Sequence, residues 1–313
     1  MKLRKRLVII TSAYSLMLIY WLALNLTHHT SSTSNYYFGL FEGLEPLLLG
    51  ALGIVTSKLW GGRQSELGKS LFYISLGVMS WGIGSVIWSW YTIRQISAVP
   101  YPSLADLGFL AAIPFWAAGI VKLSKTTGVM LGLKRPKRRL AAIVVPVIVL
   151  AISYYLLVSV AREGSLVSSG STSHLLKVIL DISYPTGDVI ILSLALLVFG
   201  LSSGFLGGRF RRPIYILLGG FAIQYFADFG FSFTTTNGTY YNGNWCDLLF
   251  VTALTVIALG INLITPPHLA VKETAAPQPE PAGEPPVSTT NNIPNNIPVE
   301  QPPDINLNQP VQK

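Results

Sequence analysis

Asp228 stands in Phe221-Ala-Ile-Gln-Tyr-Phe-Ala-Asp-Phe-Gly230, an apolar run where a carboxylate is out of place. Gln224, four residues earlier, shares its helical face. Glu42 and Glu45 stand three apart in another apolar run, so their carboxylates point the same way. Ionisable groups within a span are costly and normally face a bundle interior or a wet cavity. Four acids, Glu42 among them, follow a tyrosine at short range: Tyr37…Glu42, Tyr101…Asp106, Tyr184…Asp188 and Tyr241…Asp247. The chemistry such residues support is binding of a ligand or ion in a polar pocket.

Capping is the competing reading. Ser103-x-x-Asp106 and Asn244-x-x-Asp247 have capping-box spacing, and Asp188, two residues after Thr186, would complement a positive helix end from its first turn. The tyrosines also suit an interfacial aromatic belt. Asp228 resists this account, because near the C-terminus of an outward-running helix a carboxylate gains nothing from caps or the dipole. The candidate ligand-binding set is therefore Glu42, Glu45, Asp106, Asp188, Gln224, Asp228 and Asp247, with Arg94 as counter-charge and Trp81, Trp88 and Trp90 as walls. A metal ion is neither required nor excluded by this set, and no cofactor is indicated.

The elements that must position these residues are apolar runs at about 7–26, 37–57, 71–92, 104–124, 140–160, 185–203, 213–233 and 246–265, each near the roughly 20 residues needed to span a bilayer. The reading is an all-α polytopic membrane protein of eight transmembrane helices in four hairpins over residues 1–266. A short interfacial helix over 173–183 is expected to lead into the sixth span, with a break at Pro185-Thr186-Gly187 as the alternative. The first run is longer than a signal-peptide core and lacks a clear cleavage site, so it reads as an uncleaved anchor.

Basic residues fall in alternate loops: the N-terminus (Lys2, Arg4, Lys5, Arg6), then Lys58, Arg63 and Lys69, the dense 122–139 segment, and Arg209, Arg211 and Arg212. Only Arg94, Arg162 and Lys177 lie in the other loops before residue 267. By the positive-inside rule both termini are cytoplasmic and the chain belongs in the cell membrane. Of the acids before residue 267, only Glu66 lies on the basic side, an asymmetry that insertion rules do not require.

The chain is 50% hydrophobic and 12% charged with a mean hydropathy of +0.50, against about 25% charged in soluble domains. Basic loops beside an anionic leaflet account for the net charge of +8 without nucleic acid. A single cysteine, Cys246, excludes an intrachain disulfide. The last two spans hold no lysine for retinal, the histidines are loop residues unsuited to haem, and Pro185-Thr-Gly-Asp188 lacks the first glycine of an intramembrane aspartyl protease motif. No nucleophile–base pair is visible, so a non-enzymatic protein is expected. Residues 267–313, rich in proline and asparagine with a tandem Asn-Asn-Ile-Pro, read as a disordered cytoplasmic tail.

Two stretches carry a resemblance. Ser80-Trp-Gly-Ile-Gly-Ser-Val-Ile-Trp-Ser-Trp-Tyr91 followed by Tyr101-Pro-Ser-Leu-Ala-Asp106-Leu-Gly-Phe-Leu-Ala-Ala-Ile-Pro114 resembles the eight-helix membrane sensor module found N-terminal to GGDEF-type diguanylate cyclases and some histidine kinases. Tyr184-Pro-Thr-Gly-Asp188 and Ala227-Asp228 with Gly238…Asp247 are similar to its later helices, so the likeness spans most of residues 65–265. It implies perception of a signal by the bundle. The output domain it would also imply is replaced here by the proline-rich tail, so cyclase and kinase activity do not carry over. The expected function is a membrane sensor with an outward-facing acidic pocket, acting through a cytoplasmic signalling partner or a homo-oligomer. The alternative is a secondary transporter or ion-coupled carrier, which would want its acids nearer the midplane.

Overall fold

The computed structural model describes residues 3–27, 30–94, 99–161, 163, 174–202 and 208–266. Among them all regular structure is helical. Helices α1 Leu3–Leu26, α2 Thr33–Leu59, α3 Glu66–Ile93 and α4 Leu104–Thr126 are followed by a short connector, α5 Val129–Leu133. Then come α6 Pro136–Ser153, continued by a π-helical stretch Tyr154–Val160, α7 His174–Ser202, α8 Arg211–Thr236 and α9 Trp245–Leu263. All but α5 are long and apolar enough to cross a membrane, with the π-helical stretch completing the fifth span. The protein is an all-α, multi-pass integral membrane protein whose outer surface meets lipid.

Local sequence explains where the helices start. Ser32 caps α2 in a reciprocal box with Asn35, and Ser103 does the same for α4 with Asp106. Ser65 accepts from the Gly68 N–H to open α3, after Gly61 and Gly62 turn the chain with φ of 82° and 54°. Pro136 starts α6 at a first-turn position that needs no N–H donor.

One expected boundary is corrected. Residues 174–183 are not a separate interfacial helix, and no break falls at Pro185-Thr186-Gly187: α7 runs unbroken from His174 to Ser202. A proline removes one backbone donor, and in a membrane bundle neighbouring groups compensate for it. Asp188 consequently sits mid-helix, not in a first turn. The expected tail, residues 267–313, lies outside the described residues.

Helices α2, α3, α4, α8 and α9 form the packed centre, while α1 leans on α2 and α9, and α6 on α7. Exposed Leu16 and Ile19 on α1 and Ile143 and Val147 on α6 present apolar side chains to lipid. Close packing is made by small residues. A Cβ on Gly108 would stand 2.5 Å from the Gly84 nitrogen, and one on Gly43 2.6 Å from the Val86 nitrogen. Ser80 and Ser70 of α3 donate to the Gly108 and Gly119 carbonyls of α4, both at 2.8 Å.

The fully buried apolar core (Leu49, Leu71, Ile74, Leu123, Leu217, Ile257) comes from the helix halves that adjoin the basic loops. Arg6 joins that packed half. It is 1% exposed and hydrogen-bonds Thr56, Asn262 and Thr265, tying α1 to α2 and the end of α9. Above the core, toward the loops that carry the acids, the helices separate around a cavity.

Candidate functional site: a carboxyl-lined cavity

Asp106 shows how capping and cavity are built from one side chain. Its Oδ2 accepts from the Ser103 backbone N–H at 2.6 Å, closing the capping box, while Oδ1 accepts from the Tyr184 hydroxyl of α7 at 2.7 Å. The Tyr101 hydroxyl, just before α4, donates to Asp181 of α7 at 2.8 Å. The tyrosines thus bridge hairpins instead of serving the acid that follows each in sequence. Together they fix α4 against α7.

On α8, Gln224 and Asp228 share a face as their spacing predicts, and the amide nitrogen donates to the Asp228 carboxylate at 3.3 Å. Asp188 of α7 is in hydrogen-bonding contact with Asp228. Two carboxylates in contact repel each other, so a cation placed between them is favourable. On α9, Asp247 accepts from the Gly243 N–H at 2.7 Å and is approached by the Tyr240 hydroxyl at 3.5 Å. Burial, and then the facing carboxylates of Asp247 and Glu42, push the Tyr240 phenol well above its ordinary pKa, so it remains a donor.

These side chains converge. Glu42, Asp106, Asp181, Asp188, Asp228 and Asp247 line one cavity of about 750 Å³, with Glu163 also on its wall. The size falls in the usual range of small-molecule pockets, roughly 300–1,000 Å³. No lysine, arginine or histidine is among the described lining residues. Its apolar walls include Trp81, Trp88, Trp116, Phe221, Phe231 and Phe250. The Gln224 Oε1 and the indole nitrogens of Trp88 and Trp116 are buried without a hydrogen-bond partner among the described residues, unusual for buried polar atoms. No described group of three His, Cys, Asp or Glu side chains is arranged to hold a single metal ion.

Three residues of the set expected from the sequence lie off the wall. Glu45 is buried but turns toward α9, where it accepts from the Thr255 hydroxyl at 3.0 Å. Three residues on a helix advance 300°, so Glu42 and Glu45 diverge enough to face different neighbours. Arg94 is exposed at the end of α3, its guanidinium 5.7 Å from the Trp90 ring, and it makes no described ion pair with the acids. Trp90 faces outward with it, whereas Trp81 and Trp88 line the cavity.

Sequence reasoning left Asp181, Glu163 and Trp116 out of the set. Asp181 carried a usable signal: it precedes Asp188 by seven residues, two helical turns on one face, once 174–183 is read as part of α7. Glu163 and Trp116 carry none that periodicity would reveal.

Fold and site together describe a multi-pass membrane protein with a carboxyl-rich, aromatic-walled chamber at one end of its bundle. No family model, curated protein or solved structure matches the chain.

Proposed function

We propose that this protein is a non-enzymatic membrane sensor whose chamber binds a small ligand on the outer side of the cell membrane and reports occupancy to a separate cytoplasmic partner or a second copy. The observation that carries this reading is the chamber's position: a ligand-sized, acid-lined space in one half of the bundle, above a half closed by fully buried apolar side chains. Such a chamber admits a ligand without passing it on. The basic loops at the closed half support an outward-facing chamber under the positive-inside rule. The resemblance to sensor modules of cyclases and kinases agrees with it.

A carrier is the second reading, and helix irregularity favours it. Pro185 of α7 and Leu157 of the π-helical stretch both border the chamber, where a carrier would flex. Purified protein screened by thermal shift against amines, divalent metals and lipids, then reconstituted for counterflow with the compound giving the largest shift, separates the two. Saturable binding without accumulation is the expected result. Accumulation of labelled compound inside the vesicles replaces the sensor with a carrier.

A further inference from the structure

The carboxyl groups of the chamber are distributed, not gathered. Glu42 of α2 and Asp247 of α9 share the wall, Asp188 and Asp228 meet between α7 and α8, and Asp106 and Asp181 are held by tyrosines between α4 and α7. Aromatic side chains occupy the wall along with them. A divalent metal needs several oxygens converging on one point, and no described trio does so.

The unpaired polar atoms of the wall include acceptors as well as the indole N–H donors of Trp88 and Trp116. Gln224 is 4% exposed, its amide nitrogen committed to Asp228 and its Oε1 without a partner among the described residues. Glu42 is 6% exposed, and no described residue donates a hydrogen bond to its carboxylate. Both are acceptors. The neighbouring tyrosine hydroxyls are already committed to Asp106 and Asp181. An ammonium carries three donors and no acceptor, and aromatic faces attract cations. Several ammonium groups joined by methylenes match separated carboxyl sets with apolar wall along the way.

We propose that the chamber takes a linear organic polycation, an aliphatic diamine or polyamine, with its ammonium groups at Glu42–Asp247 and at Asp188–Asp228–Gln224. This assignment rests on the chamber being a ligand site. The test is titration of the full-length protein in lipid nanodiscs with spermidine, putrescine, butylamine and magnesium chloride at matched ionic strength, read by calorimetry and thermal shift. Spermidine should bind saturably and about tenfold tighter than putrescine, butylamine weaker again, and magnesium without saturation. Glu42→Gln and Asp228→Asn should each weaken spermidine about tenfold or more, while Glu45→Gln, at a buried acid off the wall, should leave it unchanged. If Asp228→Asn does not fold, Glu42→Gln decides. Equal binding of magnesium and spermidine, or spermidine binding unaffected by Glu42→Gln, overturns the proposal. Chamber-dependent binding of a neutral or anionic compound overturns the amine assignment alone and leaves the sensor reading standing.

Discussion

Asp106 poses the residue-scale question of whether these acids serve the helix or the chamber, since each of its oxygens does one of the two jobs. Asparagine can still cap, and the Tyr184 hydroxyl can turn to accept from its amide. Asp106→Asn should therefore cost at most about 1 kcal/mol in thermal unfolding, whereas Asp106→Ala loses cap and bridge together, about 2–4 kcal/mol. Equal losses for both variants would show that the negative charge itself is required. What the sequence made legible here was residue type and phase. Gln224 and Asp228, four apart in an apolar run, announced a polar face, and the structure puts both on the chamber wall. The pairing of Tyr184 with Asp106 and of Tyr101 with Asp181 was not legible, because each joins residues about eighty positions apart. Arg94 misled for a related reason: a lone cation near acids in the chain suggests a counter-charge, but at the end of α3 water solvates it at less cost than burial.

At the scale of elements, close approach of α3 and α4 depends on glycine meeting glycine. A Cβ at Gly108 would collide with the backbone of Gly84, which cannot yield as a flexible side chain would. Gly108→Val should cost about 3 kcal/mol by forced separation of the pair, read as a lowered Tm in detergent. Gly219→Ala on α8 is the matched control, with no described atom within 4 Å of the added methyl, and should be neutral or stabilising by up to about 1 kcal/mol. Arg6 makes a second case. In sequence it extends the basic run Lys2-Leu3-Arg4-Lys5, and reads as one more cytoplasmic charge; in the fold it is the clasp between α1, α2 and α9. Its partners lie about fifty and two hundred and fifty positions away, so no local pattern discloses them. Arg6→Lys places its donors on one nitrogen and cannot reproduce the guanidinium fork. It should lower stability by about 2–3 kcal/mol, nearly as much as Arg6→Ala. Full rescue by lysine would show that only the charge matters there. The prolines are element-scale features too. Pro46 and Pro185 each stand four residues after a chamber acid, Glu42 and Asp181, and neither can donate to that residue's carbonyl.

Across the whole molecule, charge and packing share one polarity. Acids and the chamber lie toward one end, while basic loops and the dense apolar core lie toward the other, where Glu66 is met by Lys69, Lys122 and Lys125. Span count was legible from the sequence because a membrane leaves few alternatives to a helix of about 20 apolar residues. Which helices enclose the chamber was not, because packing order depends on small-residue seams that hydropathy does not report. The basic loops predict the orientation, which decides from which side of the membrane the chamber would be reached. Substituted cysteines test it with little background, since Cys246 is fully buried, and neutral positions avoid disturbing the charges that set topology. Ser31→Cys and Thr239→Cys, both exposed at the acidic end, should react with a membrane-impermeant maleimide in intact cells. Gln64→Cys and Thr126→Cys, exposed at the basic end, should react only after permeabilisation. The opposite pattern would open the chamber to the cytoplasm, and the ligand we propose for it would then have to come from the cell interior.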